Sequence, residues 1–170
     1  MRGNEGFLAL AVLAVALLYL GSRAWDGDGR FNPAREPAPT RFEDGGDRLV
    51  LSAGPNGHFF FEAEANGAPI RFMVDSGASL VTLTEADARR AGLEPRRGET
   101  RLPFDTANGT VMARVGEIDE LRLGSAVMRD LRVAIVPDDR LGGSLFGVNG
   151  LNRFSRREAS ADELVLYVDQ

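Results

Sequence analysis

The chain has no cysteine and only one histidine, His58, among its 170 residues. Without thiols there is no disulfide framework, no cysteine nucleophile and no thiolate metal site. With one imidazole, a histidine metal centre or a Ser-His-Asp triad would rest on His58 alone. Flanked by Gly57 and Phe59, that residue reads as an ordinary strand-edge histidine. Clusters of basic residues are missing too. The net charge is −5 and the isoelectric point lies near 5.0, which argues against nucleic acid as partner, because phosphate binding needs gathered positive charge. There is no G-x-G-x-x-G, Walker or EF-hand pattern and no internal repeat, so nothing points to a cofactor.

What chemistry the sequence does hold is concentrated in Phe72-Met73-Val74-Asp75-Ser76-Gly77-Ala78-Ser79. An apolar run ends in an acid, a hydroxyl and a glycine, and a second apolar run, Leu80-Val81-Thr82-Leu83, follows. If both runs are strands, a tight turn carries one carboxylate at a strand end, where a rigid scaffold holds it still.

Toward the N-terminus, Phe7 to Leu20 is an uninterrupted run of 14 apolar residues between Arg2 and Arg23. That is short of the roughly 17 to 25 residues of a spanning helix and within the range of a signal-peptide core; with Gly6, Gly21 and Ser22 it reaches the lower edge of a span. We read 1–22 as an uncleaved signal anchor in preference to a cleaved signal peptide. Arg2 and the terminal amine favour an N-terminus inside and the remaining chain outside the cytoplasm. Residues 23–47, rich in Gly, Pro and charge without periodicity, read as a flexible linker, and 48–170 as the folded domain.

Within that domain Arg48–Ser52 is a strand candidate, and 58–65 alternates, with Phe59, Phe61, Ala63 and Ala65 on one face. Asn66-Gly67-Ala68-Pro69 turns the chain and 70–74 returns it as a hairpin that delivers Asp75. Thr84 to Gly92 carries a cap, early acids, late arginines and a glycine stop, which predicts one short helix with Glu85 and Asp87 as helix-start charges. Residues 101–106 and 110–118 flank Ala107-Asn108-Gly109, a strong hairpin signal. Leu121–Leu123, Leu131–Val136 and Leu164–Val168 are further strands, and 148–154 a short helical turn. Asp138-Asp139 reads as a solvated loop pair, and Ser144 is no nucleophile elbow, since no strand leads into it.

Short strands at regular spacing, one helix and many glycine turns indicate an all-β barrel. The order Val74-Asp75-Ser76-Gly77-Ala78-Ser79, helix, Thr106-Ala107-Asn108-Gly109 hairpin, Leu145-Phe146-Gly147 resembles the retropepsin-like aspartic proteases. Among them it is most similar to the bacterial membrane-anchored, retroviral-type (clan AA) members, over roughly Gly57 to the C-terminus. The resemblance implies a mainly β acid-protease half-barrel with one short helix and a flap hairpin, preceded by an N-terminal hydrophobic helix. It implies Asp75 as catalytic residue, Ser76, Gly77, Ala78 and Ser79 as its loop, Thr106, Ala107, Asn108 and Gly109 as the flap, and Leu145, Phe146 and Gly147 as support behind the loop. No metal or other cofactor is implied.

Such chemistry needs two carboxylates around one water, yet the chain has one Asp-Ser-Gly, so the resemblance further implies a homodimer acting on a peptide or protein substrate. Together with the anchor it places the protein in the inner (cytoplasmic) membrane as a single-pass protein, its catalytic domain on the periplasmic side. The competing reading is a non-catalytic, membrane-tethered β-barrel module in which Asp75 merely caps a turn. One departure from the family pattern follows the support element. Where close relatives carry a Leu-Leu-Gly-Met-Ser-Phe-Leu-like run, this chain has Leu145-Phe146-Gly147-Val148-Asn149-Gly150-Leu151, with glycine in place of a bulky residue at 150.

Overall fold

The computed structural model describes residues 40–43, 46–54, 57–94, 101–106 and 109–168. The expected anchor (1–22), residues 23–39 and 44–45 of the expected linker, and the flap residues Ala107 and Asn108 lie outside them. Among the described residues no helix is long and apolar enough to cross a membrane.

Eleven strands are described, together with two short helices. A four-stranded sheet runs in the order β1 (Arg41–Glu43), β2 (Arg48–Ser52), β11 (Glu163–Tyr167), β10 (Arg156–Ala159), all antiparallel. A seven-stranded sheet runs β3 (Phe60–Ala65), β4 (Ala68–Val74), β9 (Ser144–Phe146), β5 (Val81–Thr84), β8 (Ala126–Val136), β7 (Gly109–Leu123), β6 (Arg101–Thr106). A further β3–β7 pairing at Glu64–Arg122 and Ala65–Leu121 curls this sheet back on itself. The mainly β, barrel-like fold with a short helix is thus present. Alternation puts Phe61, Ala63 and Ala65 of β3 and Ile70 and Phe72 of β4 into one core with Leu49, Leu51, Val81, Leu83, Ile118, Leu131, Val133 and Phe146.

The β3–β4 hairpin turns on Asn66 and Gly67 alone, at φ 49° and 80°, the left-handed angles that a two-residue turn between twisted strands requires. Strand β4 therefore begins at Ala68, two residues before the expected start. Helix α1 (Glu85–Arg90) starts as expected, with the Thr84 hydroxyl accepting the Asp87 N–H at 3.1 Å. Asp87 is more than a helix-start charge. Its carboxylate is buried, accepts the Ser144 hydroxyl at 2.5 Å and pairs with Arg90, so it ties the helix to β9. Asp138 is likewise not simply solvated, since its Oδ1 accepts the Ala86 N–H at 2.9 Å.

Several elements differ from the reading of the sequence. Strand β1 (Arg41–Glu43) lies inside the expected linker 23–47, where it pairs with β2, and β8 begins at Ala126, ahead of the expected Leu131. Residues 109–123 form one strand instead of two, because β7 keeps its partner β8 from Arg114 to Leu123 while its buried positions shift parity between Ala113 and Ile118. The four-residue strand β10 is exposed throughout and carries no alternation to detect. Ser144 does lie in a strand, the three-residue β9, which is too short for a period to register.

Candidate active site

The site is built where β9 slots between the two strands that flank the Asp-Ser-Gly turn. Strand β4 pairs parallel to β9, with Phe72, Met73 and Val74 opposite Ser144, Leu145 and Phe146; on the other side Thr82 of β5 opposes Leu145. Asp75 extends the first ladder, its N–H donating to the Phe146 carbonyl at 3.1 Å. The chain then leaves the sheet, passes through 76–80 and re-enters it as β5. Asp75 sits partly exposed at the lip of this crossing, while Ser76, Gly77 and Ser79 are exposed.

Hydrogen bonds hold the turn from inside and from behind. The Asp75 Oδ1 accepts the Gly77 N–H at 2.8 Å, and the Ala78 N–H reaches the Asp75 carbonyl at 3.3 Å. From behind, helix α2 (Val148–Leu151) presents its first amides to the loop. Val148 N–H donates to the Ala78 carbonyl at 2.8 Å and Asn149 N–H to the Ser79 carbonyl at 3.2 Å. Gly147 makes that approach possible. A Cβ on it would stand 2.2 Å from the Leu80 carbonyl oxygen and 2.6 Å from that of Ala78.

The structure brings Leu145, Phe146 and Gly147 directly behind the Asp75 loop, and the glycine at 150 belongs to the same packing. A Cβ there would lie 2.6 Å from the Phe146 ring and 2.8 Å from Val81. Phe146 occupies the room that a bulky residue at 150 would need. It is fully buried, edge-on to Phe61 at 5.0 Å and to Phe72 at 6.0 Å between centroids.

Asn149 is the residue that the sequence reading passed over. Its Oδ1 accepts the Val81 N–H at 2.7 Å and its Nδ2 donates to the Arg132 carbonyl at 2.7 Å, so one amide locks α2, the start of β5 and β8 together. An asparagine just before a glycine looks like turn composition, and nothing in its neighbours shows what it will reach.

The expected flap is an antiparallel hairpin, β6 against β7, with Thr106 opposite Gly109 and Phe104 opposite Val111. Its base is joined to the Asp75 loop by a second apolar cluster. Val111, Ala113, Ala134 and Val136 are buried there, with the half-buried Leu80, Phe104 and Leu141 packed against them. Leu80 belongs to the Asp75 loop, Phe104 to the hairpin and Leu141 to the β8–β9 connection, so three separate segments meet at one apolar wall.

An Asp-Ser-Gly turn at a strand crossing, with a separate hairpin packed on the same loop through Leu80, is the arrangement that the sequence resemblance implied. Residues 61–153 match the family model described as gag-polyprotein putative aspartyl protease. The chain belongs to that family of retropepsin-like aspartic proteases. It is also similar to the crystal structure of a retropepsin-like aspartic protease from Rickettsia conorii, at 30% identity and a TM-score of 0.63 over 71% of this chain and 90% of that one. An uncharacterized protein in the cobV 5′ region of a Sinorhizobium species is 32% identical over 97% of this chain and 75% of its own length. The uncharacterized protein RP867 of Rickettsia prowazekii (strain Madrid E) is 30% identical over 69% of this chain and half of its own length.

Proposed function

We propose that this protein is an aspartic endopeptidase in which Asp75 of one copy and Asp75 of a second share a proton and activate a water for attack on a peptide bond. The observation that carries this reading is the setting of Asp75. Its backbone is bonded into the sheet at Phe146, its Oδ1 is bonded to the amide of Gly77, and its carboxylate stands at a partly exposed lip. In such a pair one carboxylate acts as base toward the water while the other, protonated, donates to the carbonyl oxygen, and the roles exchange as the tetrahedral species collapses. The sequence holds one Asp-Ser-Gly, so the second carboxylate comes from a two-fold related copy. In this reading the hydroxyl of Ser76, exposed beside Asp75, supplies a hydrogen bond across that axis. The apolar wall of Leu80, Phe104 and Leu141 suits hydrophobic side chains of a peptide or protein substrate held under the hairpin.

The N-terminal run 7–20 and the following 25 residues support a tether to the inner membrane, with the protease domain on the periplasmic side. Confinement to a surface raises the effective concentration of one subunit for another. Dilution tests the dimer. Specific activity of the purified chain on a fluorogenic peptide should fall on dilution through the dimer's dissociation constant, in step with the loss of dimer by sedimentation. Pepstatin-sensitive cleavage by a chain that stays monomeric at every concentration would refute this reading.

A further inference from the structure

The β6–β7 hairpin leaves the rest of its sheet at a definite point, and a cleft opens there. Strands β7 and β8 pair from Leu123–Ala126 as far as Arg114–Ile135. Two residues past Ile135 stands Pro137, which has no N–H to carry a ladder further. Beyond the last pair β7 continues with β6 alone, from Arg101–Arg114 to Thr106–Gly109, while the other chain runs off as the β8–β9 connection. The fork between these two arms holds a cleft of about 350 Å³.

Both arms contribute to its walls. Arg101, Val111 and Met112 line it from the hairpin, and Pro137, Asp139 and Arg140 from the connection. Val111 also belongs to the apolar wall with Leu80, Phe104 and Leu141, so the cleft adjoins that wall. Met112, 48% exposed, adds apolar surface open to a ligand. The two guanidiniums are loosely held. One nitrogen of Arg101 reaches Glu85 at 3.5 Å, and Arg140 approaches Asp139 at 3.8 Å, beyond hydrogen-bonding distance. Pairs this long at a solvent-accessible surface contribute little, so an incoming carboxylate can compete for both cations. Of the charged groups that line the cleft, two are cations and one is an anion, in a chain whose net charge is −5.

We propose that this cleft is a subsite for a glutamate side chain of the substrate, its carboxylate drawn to Arg101 and Arg140 and its methylenes covered by Val111, Met112 and Pro137. The substrate role rests on the reading of the protein as an endopeptidase. Guanidinium and carboxylate match in charge and in planar, two-point geometry, and a hydrogen bond between them is stronger than a neutral one. A glutamine in the same place gains the apolar contact without the charge. Specificity then has two parts: the apolar wall takes a hydrophobic side chain, and the fork beside it takes an acidic one from the same peptide. Because one cation belongs to the hairpin and the other to the connection, the acidic side chain is selected where the two arms part.

Peptide binding tests this apart from turnover. The full-length Asp75→Asn chain is titrated with acetylated, amidated octapeptides built on a central Leu-Phe, with alanine elsewhere and one Glu or Gln walked through the outer positions. At one position the Glu peptide should bind about tenfold or more tightly than its Gln partner, and at the others the two should agree within about threefold. Arg140→Glu should reverse the preference at that position, so that a Lys peptide binds better than the Gln one, which a merely structural role for Arg140 would not produce. Arg101→Gln should cut the Glu preference by about threefold or more, and it serves as the test should the charge reversal prevent folding. Glu and Gln peptides bound alike at every position, or not bound at all, would overturn the proposal. Values of kcat/KM for the wild-type chain on the same peptides separate the two readings. Cleavage with no preference for Glu removes the subsite and keeps the peptidase, whereas a Glu preference in binding by a chain that cleaves none of the peptides keeps the acidic subsite and removes the peptidase.

Discussion

Replacing Asp75 with asparagine should abolish peptide hydrolysis, lowering kcat/KM by about 10³-fold or more, while the melting temperature changes by only about 2 °C. The separation of the two effects follows from geometry. Asparagine keeps the shape of aspartate and keeps an Oδ1 able to accept the Gly77 N–H, which aspartate accepts at 2.8 Å. The backbone bonds of residue 75, to the Phe146 carbonyl and from Ala78, do not depend on the side chain. What asparagine lacks is the ability to take or give a proton at the attacking water, the one task no neighbouring group within the turn can assume. A single carboxylate remaining after mutation of one copy is no substitute, because the mechanism needs a base and an acid at once. Circular dichroism and a peptide assay on the same sample check the prediction. Hydrolysis within tenfold of wild type would remove Asp75 from the mechanism.

Gly147→Ala should have the largest effect on folding, a loss of about 3 kcal/mol or more, read as a lowered urea midpoint, with no measurable activity. The cause is crowding and not backbone angle, for Gly147 has φ −84° and ψ −176°, an extended conformation open to any residue. Its added methyl would meet carbonyl oxygens of Leu80 and Ala78, which are main chain and cannot rotate away. Relief requires the 78–80 segment to move off α2. That movement breaks the bonds from Val148 and Asn149 to Ala78 and Ser79 and releases the Asp75 loop from its support. A wild-type urea midpoint for Gly147→Ala would show that the two segments are not packed as described.

The sequence was most readable where local chemistry and tertiary structure ask for the same residue. Asn66-Gly67 supplies both positive φ angles of a hairpin turn, Thr84 caps the helix it precedes, and alternation along β3 names the residues it buries. Asp75 could be picked out because an acid, a hydroxyl and a glycine interrupt two apolar runs. Its support was only partly legible. Leu145-Phe146-Gly147 could be placed by resemblance, but that β9 is a central strand depends on partners more than 60 residues away, and three residues show no period. Asn149 and Gly150 are meaningful only against Val81, Arg132 and Phe146, all distant in the chain or on a different element.

The central claim, that one active site takes Asp75 from two copies, is tested most directly by mixing. Wild-type and Asp75→Asn chains are unfolded together, refolded at constant total concentration, and assayed for peptide hydrolysis as the wild-type fraction varies. If both carboxylates are required and copies pair at random, activity follows the square of that fraction, and an equal mixture retains about a quarter of the wild-type activity. A linear fall, with half the activity left in the equal mixture, would mean that each chain works with its own Asp75 alone.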